Sequence, residues 1–165
     1  MSKIKINDKF VGDDFPCYTI AEAGANHDGE LEKALKLIDA AFEANSDSIK
    51  FQTYDASKLA SKFAPKYWDD GKPNESQYDV FSNLDCLTTD EWKEIFEYAR
   101  KKSITCFSTP FDEKSVDLLY SLDVPVISLD AQVPKLISKI VNIYKHLILI
   151  KFIILSIIIQ TIKFS

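Results

Sequence analysis

Apolar runs of strand length alternate with segments of helical spacing along the first 130 residues, and this alternation restricts the fold more than any other feature. Residues 17–23 (CYTIAEA), 48–54 (SIKFQTY), 104–109 (ITCFST) and 124–129 (VPVISL) read as strands. A helix is expected over residues 30–43, where Leu31, Ala34, Leu35, Ile38, Ala41 and Phe42 recur at three- and four-residue steps. A second, over 89–102, carries Trp92, Ile95, Phe96 and Ala99 on one face, with Thr88 or Thr89 as N-cap. A third, over 112–122, carries Val116, Leu118, Leu119 and Leu122. Strands alternating with helices imply parallel strands joined by right-handed crossovers. Because the strands are apolar throughout, both sheet faces are expected to be covered. The connection over 54–87 is long for a compact domain, which points to a functional or disordered segment.

Charge divides the chain. Residues 1–130 carry 15 Lys/Arg against 25 Asp/Glu, a net −10, and residues 131–165 carry five Lys and no acid, a net +5. The acidic body argues against a nucleic-acid binder. Three scattered cysteines, Cys17, Cys86 and Cys106, form no Cys-x-x-Cys pair, so neither a disulfide framework nor a zinc knuckle is expected, and the bland reading is buried or half-buried thiols. The first 14 residues contain no apolar run of signal-peptide length, which suggests a cytoplasmic protein. The run over 147–162 has one charge, Lys151, and is slightly short for a membrane span.

Ligands of parallel α/β folds bind at the carboxyl ends of the strands. Polar residues gather there: Glu22, Asn26 and His27 after the first strand, Lys50, Gln52 and Thr53 on the second, Ser108 and Thr109 on the third. An ammonium in the middle of SIKFQT needs a partner. Lys50 has two readings, contact with an anionic substrate or pairing with Glu22 one strand over. Glu22 correspondingly reads as a general acid/base or as the partner of Lys50. His27 reads as a hydrogen-bonded structural residue or as a ligand. Thr109 offers a phosphate-contacting hydroxyl or merely ends its strand before Pro110.

The segments IAEAGANHDG (20–29), IKFQT (49–53), ESQY (75–78) and FSTPFD (107–112) resemble the sialic acid synthase family, which includes N-acetylneuraminate, legionaminate and pseudaminate synthases. The resemblance implies a (β/α)8 barrel that condenses phosphoenolpyruvate with an N-acyl amino sugar of the N-acetylmannosamine class. The products are a nine-carbon 2-keto sugar acid and phosphate, and Mn2+ or Mg2+ orients the sugar aldehyde. It implies that Lys50 contacts the phosphoenolpyruvate anion and that Gln52 faces the acceptor sugar. Thr109, with Ser108 behind it, lies near the phosphoenolpyruvate. Glu22 shapes the polar floor as a proton-handling group, and Asn74, in the connection that covers the site, is a sugar contact. The family is homodimeric.

After Pro125 the pattern departs. The family's fourth strand reads V-P-x-x-K-I-x-S-x-E, whereas Ser128 stands at the Lys position and Ala131 at the Ser position. The family's metal-binding histidines fall beyond residue 165. The expectation is therefore an α/β chain forming the N-terminal half of a (β/α)8 barrel over residues 1–130. A non-family tail rich in Ile, Leu and Lys follows over 131–165, and the chain is truncated and inactive alone. The alternative is a non-catalytic interaction module with a partner- or membrane-binding tail, the membrane version being the less favoured.

Overall fold

The structure, a computed structural model, describes residues 3–69, 71, 74–129 and 134–143. It opens with a hairpin, β1 (Ile4–Ile6) against β2 (Lys9–Val11), antiparallel. A three-stranded parallel sheet follows, built from β3 (Ile20–Gly24), β4 (Ser48–Thr53) and β5 (Thr105–Pro110) in the order β3-β4-β5. Helix α1 (Leu31–Glu43) joins β3 to β4, and α4 (Thr89–Lys101) leads into β5. Two shorter helices, α2 (Ala56–Leu59) and α3 (Gln77–Leu84), occupy the long connection, and α5 (Glu113–Ser121) and α6 (Pro134–Ile143) follow the sheet.

The helices form where spacing and caps agree. α4 buries Trp92, Ile95, Phe96 and Ala99, and Thr88 closes a capping box with Glu91. α1 buries Ala34, Ile38 and Ala41. These residues share one core with Ile49 and Phe51 of β4, Cys106 of β5, and Val116 and Leu119 of α5. Successive side chains of a strand point to opposite faces. The helices therefore lie on the face presented by Ile49, Phe51 and Cys106. The opposite face is presented by the register partners Glu22, Lys50 and Phe107 and, one row on, Gln52 and Thr109. Phe107 is buried yet does not belong to the helix-side core. Strands in consecutive order with helices on one side differ from a doubly wound sheet, whose order reverses at a switch point.

Four expectations are corrected. β4 is not uniformly buried: Lys50 and Gln52 are half-buried between buried neighbours, because only one face is sealed by helices. The strand expected over 124–129 is reduced to a single parallel bridge between Ser108 and Ile127, with Ser128 N–H donating to the Ser108 carbonyl (3.2 Å). Pro125 removes a ladder donor at the start of this segment. The connection over 54–87 contains α2 and α3 instead of being irregular throughout. Of the thiols, Cys17 and Cys86 are exposed, and only Cys106 is buried, which pushes its pKa well up.

The boundary expected at residue 130 is not a break in packing among the described residues. Leu136 and Ile140 of α6 belong to the main core, with Ile143 packed against it. Lys139 ties α6 to α5 through Asp117 (2.8 Å) and the Glu113 carbonyl (2.9 Å). The apolar run over 147–162 lies outside the described residues, and among those described no helix is long and apolar enough to cross a membrane.

Candidate active site

The carboxyl end of the sheet is shaped by a bulge. Between Glu22 and Gly24 the register with β4 shifts, so Glu22 faces Lys50 and Gly24 faces Phe51. Gly24 has φ +56° and lies beside the Glu22 carboxylate and the Gln52 amide. A side chain is disfavoured there by the left-handed backbone more than by space, since a Cβ would sit 3.6 Å from Glu22 Oε1.

Lys50 Nζ pairs with Glu22 Oε2 at 2.5 Å, the lysine side chain 23% and the glutamate 48% exposed. A pair this open contributes about 0–1 kcal/mol to folding. The ammonium is thus partnered within the protein and also reachable from outside. Gln52 lies one row toward the strand ends, in register with Thr109, which is buried. Glu22, Lys50, Gln52 and Thr109 therefore share one face, opposite the one on which the core helices of the described residues pack.

Ser108 does not join them. It pairs with Phe51 in register and is fully buried on the helix-facing side. Its hydroxyl shares a 2.6 Å hydrogen bond with that of Thr53. Asn74 is exposed in the connection between α2 and α3. The neck of that connection is held by the ESQY segment. Glu75 pairs with Lys66 (3.4 Å), Ser76 forms a capping box with Asp79, and Gln77 Nε2 donates to the Pro65 carbonyl (2.7 Å). Three of the segment's four residues thus close a loop.

The turn after β3 is equally constructed. Gly29 has φ +72°, and a Cβ there would lie 2.9 Å from Cys86 Cβ and 3.0 Å from the Asn83 carbonyl oxygen. Its N–H donates to His27 Nδ1 at 3.0 Å. His27 is 2% exposed, stacked edge-on to Trp92 and tilted against Phe51. Burial lowers its pKa, with nearby Asp28 opposing. His27, Gln52, Tyr54 and Asp85 line a common recess. Tyr54 and Asp85 were not singled out from sequence. The only signal for Tyr54 was its place at the end of the expected second strand over 48–54, and Asp85 carried none.

Just past β5, Asp112 caps α5 by accepting the N–H groups of Lys114 and Ser115, and it also accepts the Asp55 N–H at 2.7 Å. Its carboxylate is therefore committed to holding the two strand-end loops together. Among the described residues no group of three or more His, Cys, Asp or Glu side chains could hold a metal ion. They do not fit the divalent ion implied by the resemblance.

Known proteins share this arrangement over part of their length. An uncharacterized protein of Methanocaldococcus jannaschii is 35% identical over 152 residues, 90% of this chain and 42% of that protein. An N,N'-diacetyllegionaminic acid synthase of Legionella pneumophila is 40% identical over 116 residues, 68% of this chain and 32% of the synthase. Among solved structures, the spore coat polysaccharide biosynthesis protein SpsE of Bacillus subtilis superposes with a TM-score of 0.58 at 36% identity, covering 78% of this chain and 33% of that one. An N-acetylneuraminic acid synthetase of Leptospira borgpetersenii reaches a TM-score of 0.66 over 88% of this chain and 55% of that one, and at 24% identity it supports the fold alone. The chain spans less than half the length of these two curated relatives. The NeuB family model matches residues 37–151, past the expected boundary at 130, and takes in Lys50, Gln52 and Thr109. With most of the chain inside that match, the chain belongs to the NeuB family.

Proposed function

We propose that this chain carries the phosphoenolpyruvate-contacting part of a sialic acid synthase-type site, on what corresponds to the first units of a (β/α)8 barrel. Consecutive parallel strands with helices on one side support the barrel reading. The observation that carries the functional reading is the placement of Lys50: an ammonium half-open on the face opposite the core helices, one row below Gln52 and Thr109.

The chemistry follows from that placement. Phosphoenolpyruvate brings a phosphate and a carboxylate, and an anion entering over the strand ends competes with Glu22 for Lys50. Charge-assisted hydrogen bonds to such a group are worth about 1.5–3 kcal/mol each. Gln52 faces the acceptor, an N-acyl amino sugar, and Thr109 supplies a hydroxyl beside the phosphoenolpyruvate. Asn74, in the covering connection, is the proposed outer sugar contact. In the reaction the enol carbon bonds to the sugar aldehyde carbon. Water then adds to the cationic carbon left behind, and phosphate departs with cleavage of its C–O bond. Once Lys50 is drawn to the ligand, Glu22 is released to accept or return a proton of that water. A divalent ion polarising the aldehyde would be held by residues other than those described.

Ser128 and Ala131 stand where the resembling pattern has a Lys and a Ser. This favours a 165-residue chain that binds phosphoenolpyruvate and does not turn it over by itself. Titration of the purified chain with phosphoenolpyruvate, followed by NMR, tests the reading. Saturable shifts should centre on Lys50 and Thr109. Lys50→Met should weaken binding roughly tenfold or more, and Glu22→Gln, which frees the ammonium, should not weaken it. Equal binding by wild type and Lys50→Met would overturn the assignment. Phosphate release dependent on N-acetylmannosamine and Mn2+ would overturn the claim of binding without turnover.

A further inference from the structure

The recess at the end of β4 joins Gln52 to polar groups that have no part in the proposed chemistry. His27, Tyr54, Gln52 and Asp85 line it, walled by Leu87 and Trp92. Because His27 Nδ1 accepts the Gly29 N–H, the neutral ring carries its proton on Nε2. That Nε2–H is buried and finds no hydrogen-bond partner among the described residues, and the same holds for the Tyr54 hydroxyl. His27 is 2% and Tyr54 8% exposed, so bulk solvent does not serve either group. Asp85 already spends Oδ2 on the Ala56 N–H (2.9 Å).

Leaving a buried donor unmet costs about 1–3 kcal/mol. Two such groups on one recess, beside an amide and a carboxylate, meet the conditions under which proteins keep a buried water, which needs room for about one molecule and two to four polar partners. The recess has room for about one water. His27 approaches it from the side that holds Phe51 and Trp92, Tyr54 lies between Phe81 and Phe111, and Gln52 belongs to the opposite face of the strand.

We propose that a single water, held by His27 Nε2–H and the Tyr54 hydroxyl, links these two residues to the Gln52 amide. His27 and Tyr54 are then positioning residues. They fix the amide without touching substrate, and this part rests on the acceptor-facing role given to Gln52 above. With the Gly29 N–H on Nδ1 and this water on Nε2, both ring nitrogens of the histidine packed between Phe51 and Trp92 are satisfied.

NMR on the isotopically labelled chain tests this. A long-lived water should give cross-peaks to the His27 ring and to the Tyr54 hydroxyl or its neighbouring ring protons. Tyr54→Phe keeps the ring between Phe81 and Phe111, where the centroids are 5.8 and 6.3 Å away. The variant should lose or weaken those cross-peaks and shift both His27 Nε2 and the Gln52 side-chain amide. Absence of a water cross-peak in the wild type overturns the water site, whether or not the variant folds. An unmoved Gln52 amide in folded Tyr54→Phe overturns the positioning role. Titration with N-acetylmannosamine in the presence of phosphoenolpyruvate separates the two readings. If it leaves Gln52 unmoved in the wild type, the acceptor assignment fails, and the water site is still judged by its own cross-peaks.

Discussion

Phe51 and Gln52 are neighbours in the chain and belong to different environments. Phe51 is fully buried against Trp92 and His27 beneath the helices, and Gln52 is half-buried on the other face, beside Glu22 and in register with Thr109. The same holds for Ile49 and Lys50 one step earlier. The comparison teaches that the strand's chemistry is carried by alternate residues. One face is committed to holding helices and tolerates little change. The other presents the half-buried Lys50 and Gln52 beside buried Phe107 and Thr109, and is the face proposed to take the ligand. Substitution at adjacent positions should separate the two roles. Phe51→Ala should cost about 3–5 kcal/mol in urea unfolding, through lost burial and the cavity left behind. Gln52→Ala should cost less than about 1 kcal/mol. Comparable costs would erase the distinction between the faces.

The two glycines of the first strand's turn sharpen it further. Both have positive φ, but Gly24 looks toward the open face, where a Cβ meets only ordinary contacts, whereas Gly29 is pressed against Cys86 Cβ and the Asn83 carbonyl. Gly29→Ala should destabilise by about 1–3 kcal/mol through backbone strain and steric overlap together. Gly24→Ala should show the strain alone, about 1–2 kcal/mol. Thermal unfolding of the two variants side by side measures the difference. A larger loss at Gly24 would mean that the open face is packed more tightly than the neighbouring distances indicate.

How far this division was legible in the sequence depends on the physics behind each element. α1 and α4 were readable because a helix repeats its face every three to four residues, and Trp92, Ile95, Phe96 and Ala99 mark that face directly. The sequence also placed polar residues at the carboxyl ends of the strands. It did not separate Ser108 from Thr109, because the strand they share is buried on both faces and register decides which way each points. The first strand was expected from residue 17 and begins at Ile20. Just before it, the N–H and hydroxyl of Thr19 are bound by the Asp47 side chain, a partner distant in sequence. α6 was hidden by composition. The loss of acidic residues after Asp130 suggested a different kind of chain, while Leu136, Ile140 and Ile143 kept the spacing of a helix face that packs on the same core. The recess was illegible because Asp85 reaches it from the end of α3, far along the chain from His27 and Tyr54.

His27 is the buried titratable group of the recess, and pH should show it. Burial lowers its pKa, so the folded chain binds fewer protons at this site than the unfolded one. Stability therefore rises with pH. The contribution is complete above the unfolded value of about 6.5 and is lost as pH falls below it toward the folded pKa, at no more than about 1.4 kcal/mol per pH unit. Asp85, on the same recess, has the opposite sign. Burial raises its pKa, against the Ala56 N–H and with help from Asp55 and Asp112, so it favours the folded state in more acidic solution. Urea midpoints should fall between pH 7.5 and 5.5 in the wild type and change less in His27→Gln. An unchanged slope in that variant would remove His27 from the account.

A pair of substitutions, one on each face, discriminates most finely between them. Ser108→Ala removes one hydroxyl from the 2.6 Å bond to Thr53, whose own side chain is buried. The cost should be about 1–3 kcal/mol, because the buried Thr53 hydroxyl loses this partner. Phosphoenolpyruvate binding should be unchanged, because Ser108 points toward the helices and Thr109 toward the ligand face. Lys50→Met should show the converse, weaker binding with almost no loss of stability, since its ion pair is open to solvent. The two measurements, one by denaturation and one by titration, should therefore cross over between the two variants. If Ser108→Ala weakens phosphoenolpyruvate binding as much as Lys50→Met does, the ligand does not sit on the face that Lys50, Gln52 and Thr109 share. The anion site would then have to include the helix side of β5.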